Sequence, residues 1–191
     1  RLLTKTIFVL FLAGTGLVQG SHAAFYGFST LHWTSLGWSN THVGFFWAEG
    51  VVAEVILFAF SGFLLRKLGI FGLFFIGALA AIARWVGTGL ATDLATISML
   101  QITHALTFAS THLAAVHFVR QIAPQGTGNT AQSLYSAIGL GLSSAVLMSI
   151  SGFIFQSSPA GAFYCMALSA ATGLSILFIL WKKWDGNRLA C

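Results

Sequence analysis

Glu49, Glu54 and Arg84 stand inside long apolar runs of this chain, and the histidines His22, His104 and His112 stand there with them. Carboxylates, guanidinium groups and imidazoles hold, orient and pass protons. In apolar surroundings they are expensive: a charge at the centre of a bilayer costs on the order of 3 kcal/mol or more unless it is paired or protonated. Burial favours the neutral carboxyl, and a nearby guanidinium favours the carboxylate. A Glu54 balanced between the two would take up and release a proton.

The elements that must position these groups are membrane spans. Of 191 residues, 57% are hydrophobic and only 7% are charged, against roughly 25% charged in an average soluble chain. That deficit excludes an ordinary water-soluble domain. Apolar stretches long enough to cross a hydrocarbon core of about 30 Å run over residues 6–33, 43–65, 70–90, 97–119, 130–155 and 160–181. Between them lie helix breakers and polar residues: Gly37 and Asn40, the Arg66–Gly69 turn, Thr92 and Asp93, the Pro124–Asn129 stretch, and Pro159 among Ser157 to Gly161. Connections this short make successive helices antiparallel. The expected fold is therefore an all-α integral membrane protein of six transmembrane helices.

Eight of the nine basic residues fall before the first span or after the second, fourth and sixth: Arg1, Lys5, Arg66, Lys67, Arg120, Lys182, Lys183 and Arg188. The other loops hold no Lys or Arg. The positive-inside rule then places both termini of this segment in the cytoplasm; the expected location is the inner (plasma) membrane. The basic excess orients helices in lipid, so nucleic acid is not an expected partner. The chain begins at Arg rather than Met, which reads as part of a longer chain.

Helical angles and depths sort the polar residues. Thr15, Gln19, His22, Tyr26 and Ser29 recur at spacings of four and three, which confines them to one face of the first span. Gln101, His104 and His112 share a similar sector on the fourth span. At 1.5 Å per residue, Glu54 lies at the middle of the second span; Glu49 and Arg84 lie about 9 Å below the outer boundary and His104 about 10 Å. Equal depth makes Arg84 a partner for Glu49, Glu54 or both. The fifth span carries Ser133, Ala137, Gly141 and Ala145 at four-residue spacing, a small-residue face suited to close helix approach. Gln132 and Tyr135 are its exceptions and could line a cavity.

Other chemistries lack their patterns. No two histidines stand three or four residues apart on a span, as a metal pair requires, so neither a metal site nor an enzyme is expected. Cys165 and Cys191 form neither a disulfide framework nor a zinc pattern. There is no phosphate loop, nucleophile elbow or selectivity-filter sequence. An independent six-helix channel or assembly subunit stays open as an alternative to a transporter.

Several runs resemble a known family. Gly62 to Gly69 (GFLLRKLG) resembles the Gly-x-x-x-Asp-Arg-x-Gly loop that follows the second helix of each half of major facilitator transporters, with Arg66 at the acidic position and Lys67 at the basic one. Ser21 to Ser29 (SHAAFYGFS), Val51 to Phe58 (VVAEVILF), Ala83 to Trp85 (ARW), Gln101 to Ala115 and Leu134 to Ala137 (LYSA) are together similar to the second half of the phenylpropionate permease branch, relatives of the sugar and nucleoside proton symporters. The resemblance implies the C-terminal half of a twelve-helix major facilitator fold, two inverted three-helix repeats closing against a missing N-terminal six-helix half. It implies proton coupling at Glu54, Arg84 and His104, with the proton as coupling ion and no other cofactor. In the sugar-symporter relatives a carboxylate lies one turn beyond the His; here Thr107 and Phe108 occupy that region. The expected function is proton-coupled symport of a small organic solute, such as an aromatic carboxylate, by alternating access. The solute would bind to Gln19, His22, Tyr26, Gln101, His112 and Tyr135. A drug/proton antiporter or a facilitator of the same fold is the alternative within the family.

Overall fold

The computed structural model describes residues 2–189. Arg1, read above as an orienting charge, and Cys191, read above as part of neither a disulfide framework nor a zinc pattern, lie outside the described residues. Among these the chain is helical throughout, with no strand. The first span is α1 (Thr6–Gly20) and α2 (Ala23–Ser35), nearly collinear across a break at Ser21 and His22. The second is α3 (Asn40–Ala59), continued past Phe60 by residues 61–68 of α4 (Ser61–Leu90). The fourth is α5 (Leu94–Ile102), a π-helical stretch Ala105–Ala109 and α6 (Ser110–Ile122). The fifth is α7 (Gly128–Leu134), a second π-helical stretch Tyr135–Leu142 and α8 (Ser143–Phe155), and the sixth is α9 (Pro159–Lys183).

The second and third spans part at one residue. Gly69 has φ 66° and ψ 177°, a region that side-chain-bearing residues avoid. Arg66 and Lys67 remain helical before it. At the other side of the bundle, three loops each end in a capping side chain: Ser39 accepts from the His42 N–H, Asp93 from the Thr96 N–H at 3.0 Å, and Ser158 from the Gly161 N–H at 3.0 Å with Pro159 opening the helix. Each satisfies a backbone donor that the first turn leaves free. The Thr96 N–H and hydroxyl hold the exposed Asp93 carboxyl below the usual carboxylate range.

Packing repeats with the three-helix unit. The first span packs on the fifth and sixth, the fourth on the second and third, and the third lies along the sixth. Exchanging spans one to three with four to six leaves this pattern unchanged, as two inverted repeats require. The first and sixth spans cross so closely that a Cβ on Gly173 would sit 2.8 Å from the Gly14 carbonyl oxygen. Around the crossings lie Phe8, Phe11, Phe74, Phe118 and Tyr135, all fully buried, with Phe11 tilted against Phe118 at 5.2 Å and Tyr135 at 5.5 Å.

Coverage is uneven. The first span's apolar stretch is 72% buried within the bundle, the second's only 22% and the fifth's 17%. Ser133, Ala137, Gly141 and Ala145 of the fifth span are exposed, so the small-residue face packs against nothing in this unit; Tyr135, Gly139 and Leu147 make the inward face instead. Beside it lies a groove of about 620 Å³ lined by Asn129, Gln132, Ser133, Ser136 and Ala137. A polar groove on a span is unsuited to lipid and suits a water-filled passage or another protein surface.

Candidate functional site

The polar groups of the first four spans meet where the first and fourth spans are interrupted. Arg84 is 1% exposed. Its Nη1 donates to His104 Nδ1 at 2.8 Å and to Thr107 Oγ1 at 3.3 Å, and its Nη2 donates to Gln101 Oε1 at 3.0 Å. The guanidinium lies over the rings of Phe25, at 4.3 Å from Cζ to the centroid, and Trp85, at 4.8 Å. Two aromatic faces and three neutral acceptors thus hold a charge that lipid would reject.

A guanidinium only donates, so Nδ1 of His104 must present a lone pair to it. The proton of the neutral ring then sits on Nε2, and Nε2 lies 3.5 Å from Glu54 Oε2. His104 therefore stands between Arg84 and Glu54 as a bridge with a fixed tautomer. The direct pairing of Arg84 with Glu49 or Glu54 expected from depth is absent among the described residues, because the imidazole occupies the space between span two and span three. Glu49 holds a buried carboxylate oxygen with no hydrogen-bond partner among them. Glu54 is more open: 23% of its side chain is accessible.

His22 is the reverse case. Its Nδ1 lies 3.1 Å from the Gln19 carbonyl, an acceptor, so Nδ1 carries the proton and Nε2 presents its lone pair 3.0 Å from Thr107 Oγ1, whose single hydrogen it shares with the His104 carbonyl at 3.1 Å. Thr107 is the node that joins both histidines to Arg84. Ser21, at the break before His22, accepts from Trp85 Nε1 at 2.8 Å and so ties span three to span one.

Gln101 gives Oε1 to Arg84 and Nε2 to the Ile97 carbonyl at 3.0 Å, so both ends of its amide are engaged in holding the guanidinium. Gln19 Nε2 donates to the Phe108 carbonyl at 3.3 Å, inside the π-helical stretch. His112 Nδ1 lies 3.2 Å from the Tyr135 hydroxyl and joins the fourth span to the fifth. The Phe108 ring is stacked between His104, at 5.6 Å and 16°, and His112, at 5.8 Å and 8°. Tyr26 is 47% exposed. Its ring lies parallel to Trp47, with centroids 6.3 Å apart, beside Glu54 and on the open side of the cluster. All nine residues singled out from the sequence therefore fall in one connected region.

Thr107, Phe25, Trp85 and Ser21 carry contacts that sequence reasoning did not assign to the site. Of these only Ser21 carried a signal, a repeated pattern. Gln19-x-Ser21-His22-Ala23-x-x-Tyr26 and Gln101-x-Thr103-His104-Ala105-x-x-Phe108 match in glutamine, hydroxyl, histidine, alanine and aromatic positions.

A bundle of two inverted three-helix repeats meeting at interrupted helices is half of a major facilitator fold. The chain belongs to the MFS_1 like family, whose model matches residues 1–166. It is 41% identical over 161 residues to a protein described as a probable 3-phenylpropionic acid transporter of Escherichia coli (strain K12), an alignment covering 84% of this chain and 42% of that protein. It is 25% identical over 183 residues to a maltose permease of Geobacillus stearothermophilus, covering 95% of this chain and 46% of that one. The chain thus spans less than half the length of these curated relatives.

Proposed function

We propose that this chain is the C-terminal half of a proton-coupled symporter of the inner membrane, with both ends of the segment cytoplasmic and an aromatic carboxylate such as 3-phenylpropionate as the solute. The observation that carries the reading is the chain Arg84–His104–Glu54. The partly accessible carboxylate and the bridging imidazole of set tautomer form a pair that can store one proton beside a fixed cation that feels its charge. The relative's name supports the aromatic acid. The stacked Tyr26 and Trp47 rings supply a flat apolar surface next to Glu54, which suits an aromatic ring.

In this mechanism the Glu54–His104 pair takes up a proton from the outer side and loosens its link to Arg84. The solute binds near the midplane against the exposed Tyr26 and groups of the missing half, while Gln19 and His22, buried behind it, hold the frame of the site. The two halves then rock, and the site opens to the cytoplasm. The uncovered second and fifth spans are the surfaces on which the halves would meet.

The test uses the complete protein in membrane vesicles. Acidifying the outside should drive accumulation of radiolabelled 3-phenylpropionate, and Glu54→Gln should abolish that accumulation while leaving part of the downhill exchange. Unchanged accumulation in Glu54→Gln would remove Glu54 from the mechanism. Expulsion of solute on acidification would make the protein an antiporter.

A further inference from the structure

The two copies of the Gln-x-(Ser/Thr)-His-Ala-x-x-(Tyr/Phe) pattern occupy equivalent places in the two repeats, and their local structures agree. In both spans the helix breaks at the hydroxyl residue, with φ −60° and ψ −14° at Ser21 and φ −66° and ψ −8° at Thr103. Each hydroxyl bonds back to the carbonyl three residues earlier at 2.6 Å, Ser21 to Val18 and Thr103 to Leu100. The two histidines meet with ring centroids 5.6 Å apart. Around them the aromatic rings follow the same symmetry. Tyr26 stacks on its own His22 at 27° and meets His104 edge-on at 90°, while Phe108 stacks on its own His104 at 16° and meets His22 edge-on at 81°.

Arg84 has no such twin. One guanidinium serves a two-fold cluster, donating directly to His104 and reaching His22 only through Thr107. The groups that face His104 are His22 and Tyr26 from the first span, Glu54 from the second and Arg84 from the third. If the coupling proton settles on Nδ1 of His104, the ring becomes an imidazolium paired with the Glu54 carboxylate, and Nδ1–H confronts Nη1–H, donor against donor. Nη1 must then find another acceptor. Nη1 already bonds Thr107 Oγ1 at 3.3 Å, and on the far side of that oxygen, 3.0 Å from it, stands the unprotonated Nε2 of His22 as a further acceptor.

Resting on the symport reading, we propose that His22 is a positioning residue of proton coupling, the standby acceptor that takes Arg84 from His104 when His104 is protonated. The proton added to His104 is thereby translated into a shift of Arg84 from the fourth-span half of the cluster to the first-span half. Movement of one guanidinium between equivalent half-sites links proton uptake to the relative position of the two repeats.

The experiment compares His22→Phe with His22→Gln in the complete protein, reading pH-driven accumulation and downhill exchange of radiolabelled 3-phenylpropionate in the same vesicles. Phe keeps the ring and its packing but offers no acceptor; Gln loses the ring but keeps an acceptor oxygen near Nε2. His22→Phe should lower accumulation about tenfold, the factor carried by one charge-assisted hydrogen bond, and flatten its pH profile with exchange retained. His22→Gln should stay within about twofold of the parent protein. A packing role predicts the reverse order, and that order overturns the proposal, as does equal loss in both. Should neither variant insert, Thr107→Val against Thr107→Ser asks the same question, since only Ser preserves the bridging hydroxyl; equal activities there also overturn it. Absence of pH-driven accumulation in the unaltered protein would strike the symport reading itself, before any variant is compared.

Discussion

The His22 and His104 half-sites share a sequence pattern, a helix break and a ring arrangement, yet their chemistry is opposite. His22 presents a protonated Nδ1 to a backbone carbonyl and is sealed in the core. His104 presents its Nδ1 lone pair to Arg84 and its Nε2 proton to a partly open carboxylate. The backbone device is duplicated and the charge is not. What distinguishes the His104 half-site is supplied by its neighbours: Arg84 from the third span and Glu54 from the second. A repeat can thus provide two equivalent frames while one pair of charged residues, Arg84 and Glu54, engages only one of them.

Replacing the shared guanidinium should have the largest effect. Arg84→Lys keeps the charge but cannot serve Gln101, His104 and Thr107 from one planar group, and transport should fall on the order of 100-fold. A variant with near-normal accumulation would show that charge alone suffices. Glu54→Asp comes next: shortening the acid by one methylene widens the 3.5 Å approach to His104 and should reduce pH-driven accumulation about tenfold, with exchange less affected. Kinetics equal to those of the parent would sever Glu54 from His104.

Gly173→Ala leaves both half-sites intact and forces a Cβ against the Gly14 carbonyl. It should destabilise the bundle by about 1–3 kcal/mol, visible as a lower Tm in detergent, with transport per folded molecule retained. Specific loss of transport without loss of Tm would mean that the first and sixth spans slide during the cycle. The smallest effect concerns the end of the bundle away from the basic loops. The Asp93 carboxyl is held below the usual range by Thr96, so its cap contributes above the usual carboxylate pKa and is lost as pH falls through the lowered one. Asp93→Asn, itself a good cap, should leave Tm at neutral pH nearly unchanged and flatten its decline in acid.

Much of this was legible in the sequence because membrane spans declare themselves through apolar length, and polar residues within them through their cost. The Gln19, His22, Tyr26 stripe and the Gln101, His104, His112 sector follow from helical angle alone, and depth brought Arg84 to the level of the acids. Depth could not say what lies between them. An imidazole on a third helix intervenes, and only the packing of spans two, three and four reveals it. Thr107 escaped notice because a threonine in an apolar helix ordinarily bonds its own backbone; its role comes from Arg84 and His22 arriving from other spans. The π-helical stretches leave no periodic signature, since one added residue shifts a face without changing composition. The fifth span's small residues suggested close packing, and their exposure shows that spacing alone does not say on which surface they lie.

Proton movement is the most direct test of the account. Complete transporter in weakly buffered vesicles, given 3-phenylpropionate without an imposed gradient, should alkalinise the outer medium as solute enters, and Glu54→Gln should take up solute downhill with no pH change. Solute entry without alkalinisation in the unaltered protein, or equal alkalinisation in Glu54→Gln, would contradict the assignment of coupling to the Arg84–His104–Glu54 chain.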